Sequence, residues 1–356
     1  MSKIRIENNI QSKKVSAPLL DTLAQLSTKS PQPNTSKDCS CKKITKKTLQ
    51  KRAKSKAFTL SYLFDLIDLK SPLLKSYWQT YHCSNAILQE GKTLKSKYCN
   101  QRWCLTCNRI RTAKIINGYK SEIDKFSEPQ FVTLTIPNVK GKDLKNTIQG
   151  MNKTISKINN NLKRRHKVKI KALRKYECTY NKNRNDYHPH FHLIIDGKAA
   201  AESLVNYWLK HYKDADIKAQ DITPANEGTM VELCKYFTKI ISKDNDYNPK
   251  ALDIMFRAAK GKRTFQPIGI KRDVNEDIED IEIQEADFLE DDIEIYTYEK
   301  EHYDWVSANG VLLCEYEPNK EDLKFINGEY KIKQYGKEEK DGKTKGIETE
   351  KRTADT

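Results

Sequence analysis

"YHPHFHLIIDG", Tyr187 to Gly197, decides how this chain is read. Three of its seven histidines, His188, His190 and His192, stand at alternate positions and run straight into Leu193-Ile194-Ile195. Alternate side chains of a β-strand share one face. The spacing therefore predicts a strand with Phe191, Leu193 and Ile195 turned into an apolar core. His190, His192 and His188 then face the other way together. Imidazoles converging on one point suggest a metal ligand set. The alternative is a strand whose polar face is merely rich in histidine.

Upstream, "ALRKYECTY" and the turn-rich "NKNRND" precede this strand and predict an antiparallel hairpin. A loop centred near residue 184 sets Glu177 across from His192 and adds a carboxylate to the imidazoles. Histidine alone leans toward zinc, whereas a carboxylate with open water positions favours Mn²⁺ or Mg²⁺. "FVTLTI", Phe131 to Ile136, is a β-branched run stopped by Pro137-Asn138 and predicts a further strand.

Downstream, "VELCKYFTKI" (Val231 to Ile240) has helical spacing. Glu232 and Tyr236 share a face four positions apart, Lys239 follows on that face, and Leu233, Phe237 and Ile240 form the docking stripe. A tyrosine hydroxyl, with a pKa of about 10, is a poor nucleophile at neutral pH unless a metal polarises the phosphate it attacks. Taken alone, the segment reads as an ordinary amphipathic helix with an exposed tyrosine and an i,i+4 pair.

The 356 residues carry a net charge of +17, unevenly placed. Residues 1–56 hold 14 Lys/Arg against 3 Asp/Glu, while Asp273 to Glu294 hold 12 acids and no base. Residues 57–272 hold 40 bases and 19 acids. The part that reads as folded is thus strongly cationic, which suits a polyanion such as nucleic acid. No apolar run is long enough to span a bilayer, and the start lacks the apolar stretch of a signal peptide, so a cytoplasmic location is expected.

Nine cysteines are present, and four cluster as Cys83 and then Cys99-x4-Cys104-x2-Cys107. In a reducing compartment this pattern reads as a zinc site, with His82 as a substitute ligand, rather than a disulfide framework. Arg109, Arg111 and Lys114 follow directly, placed to meet DNA. Reduced thiols in a basic loop are the alternative. Cys39 and Cys41 look incidental, and Cys178, Cys234 and Cys314 suit small buried thiols.

The expected organisation is a basic, disordered leader over 1–55; a helix plus Cys-rich zinc- and DNA-binding element over 56–120; a catalytic domain over 121–272; an acidic linker over 273–294; and a small C-terminal appendage with a disordered tail over 295–356. Helices are expected over Phe58–Leu69, Arg109–Phe126, 142–165, Ala200–Tyr212 and Met230–Ser242, and strands at "IEIYTYEK" and "GVLLCEYE". "GKEEKDGKT" near the end has the wrong glycine spacing for a phosphate-binding loop, which sets aside a fused helicase.

"FVTLTI", "HPHFH" and "E-x-x-K-Y-x-x-K", in that order, resemble the three motifs of plasmid rolling-circle replication initiators of the HUH endonuclease superfamily, in the branch with one tyrosine and a glutamate four residues before it. The resemblance spans roughly Cys83 to Val274 and includes "YCNQRWCLTCNRIR" and "FRAAKGKRTFQPIGIKRDV". It departs at Leu105, where that branch usually has proline. It implies an α+β fold with an HUH-type antiparallel sheet and packed helices. It implies that His190 and His192, with Glu177 and adjacent His188, hold a divalent cation, and that Tyr236 nicks origin DNA through a 5′-phosphotyrosine, leaving a 3′-OH primer. Glu232 would activate water to end the cycle, and Lys239 and Lys235 would meet phosphate. Host helicase and polymerase are the implied partners. The rival readings are an HUH relaxase or transposase, whose tyrosine usually precedes the histidines, and a non-catalytic zinc-dependent DNA-binding regulator.

Overall fold

The computed structural model describes residues 45–91, 93–234, 247–273, 281–282 and 293–329. Helices α1 (Lys46–Asp68) and α2 (Leu74–Tyr81) lead into a hairpin of β1 (Ala86–Glu90) and β2 (Thr93–Ser96). Then come α3 (Leu105–Ile123), β3 (Pro129–Thr135), α4 (Gly141–Arg165), β4 (Ala172–Asn181), β5 (Asp186–Asp196) and α5 (Lys198–His211). The remainder is β6 (Asp221–Pro224), α6 (Glu227–Cys234), α7 (Pro249–Ala259), β7 (Phe265–Ile268), β8 (Ile281–Glu282), β9 (Ile293–Glu299), β10 (Asp304–Ser307) and α8 (Lys320–Ile326). Among the described residues no helix is long and apolar enough to cross a membrane.

The fold is α+β with two five-stranded sheets, ordered β6-β3-β5-β4-β7 and β10-β9-β1-β2-β8. Every pairing in the first is antiparallel. The histidine strand β5 is its middle member, as its near-continuous apolar second half requires. Val132 and Leu134 of β3 and Phe191, Leu193 and Ile195 of β5 point to one face, where Leu144, Ile148, Met151, Ile155 and Ile158 of α4 and Leu204 and Trp208 of α5 cover them. Those α4 positions recur at three- and four-residue intervals, which gives the helix one apolar stripe against the sheet and leaves its other side to water. β7 closes the edge beside β4. At Gly269, just beyond it, φ is +65° and a Cβ would collide with the Ile170 carbonyl oxygen, so only glycine lets the chain approach so closely.

The second sheet joins distant parts of the chain. β9 pairs with β1 along Ala86↔Thr297 to Glu90↔Ile293. The segment after the acidic run, expected as an appendage, thus shares a sheet with residues 86–96. Leu49 and Ala53 of α1 pack on this sheet with Ile87, Tyr296 and Trp305. Farther along α1, Leu60, Leu63 and Leu66 join Tyr77, Trp103, Leu252 and Phe256 in a core that α7 shares.

Three expectations are corrected. The basic leader does not extend to residue 55, because α1 starts at Lys46, with Thr45 as its N-cap. The buried Arg52 and Lys56 interrupt the apolar pattern there and hide the start. The strand after β9 is Asp304–Ser307, not "GVLLCEYE"; that segment meets it through an isolated Val306↔Leu312 bridge. Asp304, fully buried, holds the segment by accepting from the Cys314 amide at 3.1 Å. Of the acidic run, Ile281 and Glu282 form β8, parallel to β2; 274–280 and 283–292, like the leader over 1–44 and the tail over 330–356, lie outside the described residues.

Candidate active site

β4 and β5 form the expected hairpin, but the register is tighter than the sequence suggests. Asn181 pairs with Asp186, so Glu177 faces His190 and Lys175 faces His192. Asn181 causes the shift: its Oδ1 accepts from the amides of Asn183 (3.0 Å) and Arg184 (3.1 Å), closing the loop on itself. The slip is two residues, so every side chain keeps its face.

Glu177, His190 and His192 converge on the face opposite the α4/α5 core. Glu177 Oε2 lies 3.3 Å from His190 Nε2 and 3.4 Å from His192 Nε2. One ligand atom from each of the three falls within 4.8 Å of the others. Ligands about 2.1 Å from a shared ion stand roughly 3.0 Å apart in an octahedron and roughly 3.4 Å apart in a tetrahedron. The donor set therefore fits one divalent cation, with one carboxylate oxygen and two imidazole nitrogens.

The outer atoms of the histidines orient the inner ones. His190 Nδ1 lies 3.1 Å from the His188 carbonyl, which can only accept, so the proton sits on Nδ1 and Nε2 keeps its lone pair. His192 Nδ1 meets the Thr133 hydroxyl at 3.1 Å, and its ring stacks on Phe131 at 5.3 Å between centroids. Burial lowers the His192 pKa below its ordinary value, outweighing the adjacent Glu177, and favours the neutral ligand form. Burial alone would raise the Glu177 pKa, but His190, His192 and Lys175 together hold it well below the usual carboxylate range.

Lys175 is the residue that the sequence reading missed. It is 1% exposed and donates to Glu177 Oε1. The carboxylate is thus divided, with Oε1 toward the ammonium and Oε2 toward the imidazoles. Lys175 stands two positions before Glu177 on the same strand, so alternation alone was the available signal. His188 stands apart from the convergent set: its ring is 5.1 Å from that of His190, and its Nδ1 meets Asn138 Oδ1 at 2.9 Å.

α6 packs on this same face. Met230 and Leu233, both buried, join Leu173 and Ile194 with Tyr119 and Phe126. Ile194 is two residues beyond His192, so the helix carrying Glu232 docks beside the Glu177, His190 and His192 cluster. Tyr236, Lys235 and Lys239 lie outside the described residues, as does the side chain of Glu232.

The four cysteines gather into a second cluster. Cys83 Sγ lies 3.4 Å from Cys107 and 3.6 Å from Cys104, and Cys99 lies 3.6 Å from Cys107. Four thiolates about 2.3 Å from a tetrahedral zinc stand about 3.8 Å apart, whereas a disulfide brings sulfurs to about 2.05 Å. The cluster has the dimensions of a zinc site. Backbone amides point at its sulfurs: Cys99 to Cys83 (3.3 Å), Gln101 to Cys99 (3.5 Å) and Cys107 to Cys104 (3.5 Å), the last capping α3. All four positions are cysteine, and His82, exposed, is outside the set.

The bases after Cys107 ride on α3. Arg111 binds Asn108 Oδ1 (2.8 Å) and the Asn100 carbonyl (2.7 Å), clasping the cysteine loop. Arg109 is exposed and Lys114 half-buried.

A family model described as a replication protein matches residues 90–200, which include Glu177, the histidine strand and three of the four clustered cysteines. A "Protein rep" of Staphylococcus aureus is 31% identical over 181 residues, covering 45% of this chain and 76% of the relative. A "Protein rep" of Streptococcus pneumoniae is 25% identical over 218 residues, covering 54% and 67%. One from a Bacillus species is 32% identical over 193 residues, covering 52% and 53%. No solved structure matches the chain.

Proposed function

The chain belongs to the replication-protein family of plasmid replication initiators, and from that premise we propose that it is an HUH-type endonuclease and strand transferase that nicks one strand of its plasmid origin. The observation that carries the reading is the placing of Glu177 Oε2 between the Nε2 atoms of His190 and His192. Glu177, His190 and His192 hold a divalent cation, with His188 at its margin. When bound, Mn²⁺ or Mg²⁺ supplies Lewis-acid polarisation of the scissile phosphate.

Tyr236 supplies the nucleophile, three residues beyond Leu233, whose side chain is buried against the histidine face. Its oxygen forms an ester to phosphorus as the bond to the 3′ oxygen breaks. The tyrosine proton goes to solvent, and the departing oxygen takes one up as the 3′-OH that primes synthesis. The 5′ phosphate stays on the enzyme, so the bond is conserved for rejoining. Glu232 acts as the base that later activates water. Lys239 and Lys235 steady phosphate, and Lys175 keeps the Glu177 carboxylate ionised and oriented. The Cys83/Cys99/Cys104/Cys107 cluster holds a structural zinc that anchors α3, from which Arg109 and Lys114 meet DNA. The setting is the cytoplasm, with host helicase and polymerase taking over the opened origin.

The test is cleavage of supercoiled origin DNA and of a single-stranded origin oligonucleotide with Mn²⁺ or Mg²⁺, comparing wild type with Tyr236→Phe on a denaturing gel. A nick with a protein–DNA adduct, lost in the variant and in EDTA, is expected. Equal nicking by both proteins would move the attack to another group. DNA binding without nicking by either would favour the zinc-dependent regulator, which the cysteine cluster alone also suits. Joining of two different DNA molecules in preference to origin nicking would favour a relaxase or transposase.

A further inference from the structure

Alternation along β4 sends Lys175 and Glu177 to one face and Arg174 to the other. Arg174 is fully buried, with its guanidinium 4.1 Å from the Phe191 ring centre. One terminal nitrogen donates to Asn152 Oδ1 and Gln266 Oε1, both at 2.6 Å. Its Nε and other terminal nitrogen have no partner, and no carboxylate among the described residues pairs with it. Burial lowers its pKa to about 10, which leaves it charged at neutral pH. A buried cation with only neutral partners is costly unless an anion comes close.

The space in front of it supplies a place for one. Asn152 and Gln266, the two residues that Arg174 holds, line a groove of about 630 Å³ together with Lys153, Lys157, Lys262 and Arg263. It lies between α4 and the turn into β7, on the face away from the histidines. The exposed side of α4 continues the charge: Lys142, Lys145, Lys153, Lys157, Lys163, Arg164 and Arg165 are all exposed, against Asp143 alone. At about 1.5 Å per residue this 25-residue helix is about 37 Å long, close to one turn of duplex DNA at about 34 Å.

We propose that the groove, with the basic side of α4, is a second DNA site that grips backbone phosphates of the duplex beside the nick. The proposal rests on the nicking reading for its partner. Its lining has cations and amides, the groups that contact phosphate, and no aromatic ring on which an unpaired base would stack. Duplex is therefore its occupant, while the scissile single strand belongs to the histidine face.

The test is fluorescence anisotropy of full-length protein on an origin-flanking duplex across a range of salt. Lys153→Ala/Lys157→Ala should weaken duplex binding about tenfold and reduce the slope of log K against log salt by about 2, at about 0.9 per phosphate contact. Lys320→Ala/Lys324→Ala on α8, which removes the same net charge, should leave the slope unchanged. Equal slope losses in the two pairs would mean that only net charge matters, and would overturn the site. So would an unchanged slope in the α4 pair, or an α4 pair that loses binding of inorganic tripolyphosphate but not of duplex. The last result would identify a small-anion site. Cleavage of the single-stranded oligonucleotide by wild type, run in parallel, tests the nicking reading separately: duplex binding with the expected slope change but no cleavage leaves this site standing and removes that reading.

Discussion

Lys175→Met isolates the division of the Glu177 carboxylate. Methionine keeps the length and flexibility of the side chain and removes only the ammonium. In wild type, Lys175 Nζ holds Oε1 while Oε2 faces the imidazoles of His190 and His192, and the Lys175 and Glu177 side chains are 1% and 14% exposed. Removing one partner of a well-buried pair costs about 3–5 kcal/mol because the other charge is stranded. The residual exposure of Glu177 reduces this to about 2–4 kcal/mol. For a chain of this size, at about 2.1 cal/mol/K of unfolding entropy per residue, that corresponds to a fall in Tm of about 3–5 °C in EDTA. A divalent ion supplies the missing positive charge at Oε2, so Mn²⁺ at about 100 times its Kd should return about 2.7 kcal/mol. The assay is thermal unfolding by circular dichroism, wild type against variant, in EDTA and over a Mn²⁺ titration. A variant as stable as wild type in EDTA would refute the role of Lys175 as the carboxylate's counter-charge. A loss that Mn²⁺ does not recover would refute the ligand assignment.

Thr133→Val should weaken Mn²⁺ binding about 10–100-fold by isothermal titration, since it removes the oxygen that orients His192 Nδ1 while keeping the strand's shape; an unchanged Kd would mean that the His192 ring is held by Phe131 alone. Elemental analysis should find one zinc per chain in wild type and none in Cys107→Ala, and the variant's Tm should be lower, because three separate segments meet at that cluster. A chain that is equally stable with and without zinc would leave four reduced thiols as the better account. Leu233→Ala truncates a side chain 1% exposed against Leu173 and Ile194, for an expected cost of about 2–5 kcal/mol. Nicking should slow while Mn²⁺ affinity holds, and parallel loss of both would contradict the docking of α6 as the element that brings the tyrosine in.

Much of the site was legible because the strand period is short and unambiguous. Three histidines in alternation with Phe191, Leu193 and Ile195 admit one facing, and the structure keeps it. The partner of each histidine was not legible, since a hairpin's register depends on hydrogen bonds inside its loop, here those of Asn181. Lys175 escaped notice because a lysine reads as solvated surface, and only the covered face of β4 buries it. Arg174 escaped for the same reason, on the other face. α1 started ten residues before the expected boundary, because its buried Arg52 and Lys56 break the apolar period; Lys56 finds acceptors in the Tyr81 and Cys83 carbonyls.

By itself, then, the chain's order of residues determined the local matters around the site: that β3, β4 and β5 are strands, which side of β5 carries imidazole, and which four cysteines lie close enough in number and spacing to share an ion. These follow from backbone periodicity and ligand chemistry, which act over a few residues. Only the tertiary structure decided that Glu177 stands between His190 and His192, that β9 completes a sheet begun by β1 some two hundred residues earlier, and that a buried arginine lies behind a cationic groove. Those arrangements come from the packing of whole elements, where burial and loop closure between distant segments select one partner among many that the pattern would allow.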